Sequence, residues 1–158
     1  MKNLRTSLLC VCISIIGFSA AAQNQDTPAL NEPDYNKPKL FAAHPDQIPV
    51  NLTNINALLS SSVGNAVDMN VSATTSFRFT GEVISTVSKY QNRIISVVIR
   101  SSNFSGAIFS ISKITNDNGT ISYTGRLISK RFGDVYELKE LNGSFVLVKK
   151  NYYELINE

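Results

Sequence analysis

The chain is 158 residues long, with 15 basic and 12 acidic side chains, no tryptophan, and cysteines only at Cys10 and Cys12. That length suits one domain with a single core. A formal net charge of +3 gives no electrostatic reason to expect nucleic acid or an anionic membrane surface as a partner.

Residues 1–22 read as a secretory signal peptide. Lys2 and Arg5 supply a positive start, Leu8 to Phe18 is apolar and uncharged, and Ala20 and Ala22 place small residues for a cut before Gln23. The apolar run is short for a membrane span, which needs roughly 20 apolar residues. A lipid-modified cysteine requires a small residue just before it, whereas Cys10 follows Leu9 and Cys12 follows Val11. Both thiols are therefore expected to leave with the signal, so the mature chain has no disulfide. Removing 22 residues from 158 leaves 136, with 13 basic against 12 acidic side chains. The Ala-Ala-Ala-Gln processing site and the Asn- and Ser-rich mature chain resemble small secreted proteins of Bacteroidetes-type bacteria. That resemblance implies an exported, bacterial, periplasmic or extracellular protein, and carries no site residues with it.

Residues 23–50 hold all five prolines, Pro28, Pro33, Pro38, Pro45 and Pro49. Proline lacks a backbone donor and restricts the residue before it. The segment reads as an extended leader that precedes a β-rich domain over 51–158. Asn51 to Ser61 then predicts a short helix. Asn51 is a suitable N-cap, and Leu52, Ile55, Leu58 and Leu59 share one face at helical spacing.

From Ser76 onward the period changes to two. Phe77, Phe79 and Val83 alternate with polar residues, as do Ile95, Val97 and Ile99, then Phe109 and Ile111. Tyr123 and Leu127, Tyr136 and Leu138, and Phe145 and Leu147 continue the pattern. Turn signals fall at Asn118-Gly119 and Asn142-Gly143, with Gly106 and Gly133 between other runs. Turns this short force antiparallel pairing. The fourteen apolar and aromatic residues just named are the predicted core.

Phe77 to Ser85 and Ile121 to Ser129 share Thr-Gly and Ile-Ser at equivalent positions, Thr80-Gly81 and Ile84-Ser85 against Thr124-Gly125 and Ile128-Ser129. The match suggests an internal repeat. The expected fold is mainly β: an antiparallel six-stranded sandwich or partly closed barrel, built from two three-strand meanders, with one short N-terminal helix. A mid-strand glycine points to a bulge or bend at Gly81 and Gly125. If the first strands of the two units pair, Glu82 faces Arg126.

The chemistry-bearing residues are sparse. The single histidine, His44, lies in the leader, so neither a metal cluster nor an imidazole-based nucleophile site is expected. Asp134, Glu137 and Glu140 form the densest acidic set, but their parity divides them between strand faces, as solvated strand residues. Five Asn-x-Ser/Thr triplets, beginning at Asn51, Asn70, Asn103, Asn118 and Asn142, read as turn chemistry. One local bias remains. Arg126, Lys130, Arg131, Lys149 and Lys150, with Tyr152 and Tyr153 beside them, form a candidate patch for a polyanion or glycan. The expectation is a non-enzymatic exported binding module for a protein or glycan, without cofactor, nucleic acid or a membrane span after processing. An inhibitor or prodomain-like chaperone of an exported enzyme is the alternative, and a cryptic hydrolase a more distant one.

Overall fold

A computed structural model of the chain describes residues 34–72, 74 and 76–155. The expected signal peptide, residues 1–22, and the first part of the expected leader lie outside the described residues. Eight strands and one helix follow in order: β1 (Gln47–Pro49), α1 (Leu52–Leu59), β2 (Ala66–Asn70), β3 (Arg78–Lys89), β4 (Ile94–Ser101), β5 (Ile108–Thr115), β6 (Ile121–Ile128), β7 (Asp134–Leu141) and β8 (Ser144–Asn151). All strands belong to one antiparallel, curled sheet in the order β1-β8-β7-β6-β5-β4-β3-β2.

The meander from β3 to β8 follows from its short connections. The Asn142-Gly143 link is the clearest: both residues have positive φ, 52° and 74°, which matches the twist of a two-residue hairpin. The two edge strands come from one β1-α1-β2 passage that crosses from one margin of the sheet to the other. A bridge between Val50 and Ser72 ties these margins together, and Asn51 N donates to Val71 O at 3.0 Å.

α1 starts where Asn51 Oδ1 accepts from Thr53 N at 2.9 Å and Asn54 N at 3.4 Å. These bonds satisfy two of the helix's otherwise unpaired donors. Ile55, Leu58 and Leu59 are buried, and Tyr123 Oη donates to Asn56 Oδ1 at 2.9 Å from across the sheet. The predicted helix therefore forms, and it packs against the sheet's inward face.

Every predicted core residue lies in the core or against it, with Ile95, Tyr123 and Phe145 at its half-buried margin. The pattern missed Phe41 and Phe104. Phe41 is fully buried, with its ring 4.8 Å from that of Tyr136 and 5.3 Å from that of Phe104. Phe104 stacks on Phe77 at 5.4 Å.

Several expectations are corrected. The described residues form eight strands in one sheet, and the units β3–β5 and β6–β8 lie side by side through the β5–β6 ladder instead of facing each other. Glu82 is opposite Arg100 and Ala66, while Arg126 is opposite Glu137 and Ser110. The bulge in β3 falls after Val83, beyond Gly81, and β6 runs through Gly125 in unbroken register. Close backbone approach explains both glycines: a Cβ would stand 2.3 Å from Arg100 O at Gly81 and 2.8 Å from Ser110 O at Gly125.

The segment 34–50 also differs from the extended leader expected of it. Residues from Asp34 onward belong to the same compact unit as the sheet, β1 pairs with β8, and Phe41 and Ile48 are fully buried. Residues 34–46 form a strap across the end of the sheet that carries the 102–107 and 129–133 loops. The opposite end carries the hairpin tips at 90–93, 116–120 and 142–143. Toward those tips the sheet divides. β6 and β7 pair only from Gly125 to Ile128 against Val135 to Leu138, so Ile121–Thr124 and Lys139–Leu141 diverge.

Candidate functional site

The basic residues expected to form one patch occupy three settings. Arg126 and Lys150 meet on the outer face of the sheet around Glu137, which stands on the middle strand of the three. Arg126 Nη2 is 3.0 Å from Glu137 Oε1, and Lys150 Nζ and Lys139 Nζ are 3.1 and 3.2 Å from its Oε2. Burial pushes the Glu137 carboxyl up, but hydrogen bonds from Arg126, Lys150 and Lys139 outweigh it and hold the group at about 2.

Lys149 is one residue from Lys150 and so points to the opposite face. Its Nζ donates to His44 O and lies 3.1 Å from Asp46 Oδ1, which fastens β8 to the strap. Lys130 and Arg131 are exposed in the 129–133 turn, where Lys130 O accepts from Lys37 Nζ at 3.0 Å. Tyr153 is buried, and its hydroxyl donates to Asp34 O. Its ring lies 4.7 Å from that of Tyr35, and Lys37 Nζ sits 5.1 Å from the centre of the Tyr152 ring. Lys149 and the two tyrosines thus hold the strap end together.

The acidic set divides as well. Asp134 is 2% exposed, a correction to its expected solvated place. Its Oδ1 accepts from Leu40 N at 2.7 Å and its Oδ2 from Phe41 N at 2.9 Å. A carboxylate at this position gives two inward-turned backbone donors their partners. Glu140 is exposed. Among the described residues, no three His, Cys, Asp or Glu side chains gather as metal ligands would. No described helix is long and apolar enough to cross a membrane.

One surface feature at the hairpin end was not anticipated. A groove of about 400 Å³ lies between the β3–β4 and β5–β6 tips, lined by Tyr90, Arg93, Ile94, Ile114, Thr115, Asn116 and Asp117. Ile94 and Ile114 are cross-strand partners and make an apolar floor. Tyr90 is 71% exposed. An ion pair joins Arg93 to Asp117, linking one hairpin tip to the next. Asn116 Nδ2 donates to Thr120 Oγ1 at 2.9 Å and Ser122 Oγ at 3.0 Å, which stiffens the second tip.

The first tip has an uncommon backbone. Tyr90, Gln91 and Asn92 have φ of 52°, 56° and 67°, the left-handed region that Tyr and Gln disfavour by about 1–2 kcal/mol each and Asn tolerates better. The closing pair Lys89–Ile94, the Arg93 N to Tyr90 O bond at 3.2 Å and the Ser88 Oγ to Asn92 Oδ1 bond at 2.5 Å hold it. Strain of this kind persists only where surrounding contacts fix it, and it is enriched at ligand-binding positions. Tyr90-Gln-Asn-Arg93 contains no Gly or Pro, so only Asn92 hints at a turn and nothing in the sequence marks its left-handed backbone.

Comparison of the chain with known protein families, with characterised proteins and with solved structures finds no match in any of the three.

Proposed function

We propose that the protein is an exported, non-enzymatic binding module that takes a protein or glycan partner at its hairpin end. The observation that carries this reading is the strained Tyr90–Asn92 tip, which presents an exposed tyrosine beside an apolar floor and a charged rim. A site with an apolar base and a few placed polar groups is the usual form of a ligand site. Export rests on the signal-like residues 1–22. The alternative of an inhibitor that inserts its leader into a partner has less support over 34–50, because that stretch packs on its own sheet.

The test uses the mature chain from Gln23 as bait against the exported fraction of the native organism. A captured partner should be lost with a Tyr90→Ala/Asp117→Ala bait and kept with an Arg126→Ala/Lys150→Ala bait. Capture that is indifferent to the first pair overturns the hairpin-end reading, and capture lost only with the second moves recognition to the basic outer face.

A further inference from the structure

Resting on that reading, we propose that the Tyr90 groove binds a pyranose ring of a neutral glycan. Three features of the groove select this chemistry. The first is shape and polarity. Tyr90 offers an exposed aromatic face beside the Ile94–Ile114 floor, which suits a flat ring with one apolar C–H face. The second is the rim. Arg93 and Asp117 are paired, yet their side chains remain 47% and 94% exposed. The guanidinium therefore keeps N–H donors, and the carboxylate keeps lone pairs, for hydroxyl groups that both donate and accept. The third is charge. A cation and an anion stand at the same rim, so an anionic ligand meets Asp117 and a cationic one meets Arg93. A neutral polyol meets neither penalty. An aliphatic chain or a phenyl ring fits the floor but makes no use of the rim's exposed donors and acceptors.

The volume, about 400 Å³, lies toward the small end of the range for ligand sites, about 300–1,000 Å³. It suits one or two sugar rings, with the rest of a chain crossing the hairpin tips. Tyr90 acts by stacking, so its ring matters and its hydroxyl does not. Asp117 acts by accepting from ring hydroxyls.

The experiment is a two-dimensional amide NMR titration of the mature chain with maltotetraose, cellotetraose and chitotetraose in turn, and with the tripeptide Gly-Trp-Gly as an aromatic control. At least one tetraose should give saturable shifts centred on Tyr90, Arg93, Ile94 and Asp117. Tyr90→Ala should then weaken binding by at least about tenfold, Tyr90→Phe should stay within about threefold, and Asp117→Ala should weaken it severalfold. Unchanged amide positions elsewhere in each variant show that the fold is intact. Shifts at these amides from Gly-Trp-Gly alone, or no shift there from any tetraose, overturn the glycan proposal. The hairpin-end reading fails separately, if the captured partner in the bait experiment is indifferent to Tyr90 and Asp117.

Discussion

The two ends of the sheet are held by different kinds of bond. At the strap end, Asp134 binds Leu40 and Phe41, Tyr136 Oη donates to Pro45 O, and Lys149 donates to His44 O. Each of these contacts joins residues about ninety or more positions apart in the chain. At the hairpin end, Ser88 binds Asn92, Asn116 binds Thr120, and Asn118 binds Thr120, all within four positions, and the longer link between tips, Arg93 to Asp117, spans 24 positions on the exposed rim. Long-range contacts form only when the whole domain folds, so the strap end reports global stability. The tips can loosen while the core stays folded, and surfaces that engage ligands are commonly drawn from such regions. The difference explains why the groove can carry left-handed, strained residues without endangering the fold.

The largest expected effect sharpens this contrast directly. Phe41→Ala removes a fully buried ring from the aromatic cluster and should cost about 3–5 kcal/mol. Tyr90→Ala removes an equally large ring from the surface and should change stability by no more than about 0.5 kcal/mol. Urea midpoints of the two variants measure the difference, and similar losses would break the comparison. Next comes Asp134→Ala, which strips two strap amides of their acceptor. Each donor left unpaired and buried costs roughly 1–3 kcal/mol. Asp134→Asn keeps one acceptor oxygen and should lose less. Hydrogen exchange at Leu40 and Phe41 should quicken in both variants, in that order.

The sheet, its core face and its helix were legible because their signals are local. Period-two alternation marks the inward residues of β3 to β8, and Asn51 with its apolar face marks α1. The strap was hidden by its prolines. Proline cannot donate, but Pro38 and Pro45 serve here as acceptors, toward Gly133 N and Tyr136 Oη, and Pro49 sits on an edge strand, where proline is tolerated. Continuity of the sheet was not legible either, since a chain of hairpins is compatible with one sheet or two. For the site, Lys149 and Lys150 could have been separated by parity alone. The groove could not have been found, because the left-handed tip is imposed by the strands that close it.

A smaller effect concerns the joint where the sheet begins to divide toward the tips. Arg126 and Glu137 face each other across the short β6–β7 ladder. Glu137 has a folded pKa near 2 against an ordinary 4.5, so the folded state holds its proton more weakly than the unfolded state does. Its stabilisation is therefore fully present above about pH 4.5 and is lost as the pH falls toward about 2. The half-exposed Arg126 and Lys139 reduce the contribution to about 1–3 kcal/mol. Glu137→Gln should flatten the dependence of the urea midpoint on pH across that window. A wild-type slope that survives the substitution would assign it to other carboxylates and leave the β6–β7 joint without this support.

The smallest effect separates stability from recognition. Gln91 is the middle of three left-handed residues. Gln91→Gly removes the Cβ conflict, about 1–2 kcal/mol, but adds flexibility to the unfolded chain that costs roughly 0.5–1 kcal/mol. The net result should be a gain of up to about 1.5 kcal/mol in stability. The same change frees the tip and lets Tyr90 sample more orientations, so ligand affinity should fall even as the domain becomes more stable. Opposite signs in the two measurements would mean that the strain at this end is kept for placing Tyr90. A variant that gains stability and binds unchanged would reduce the strained tip to a consequence of hairpin closure, with Tyr90 placed by the Lys89–Ile94 register alone.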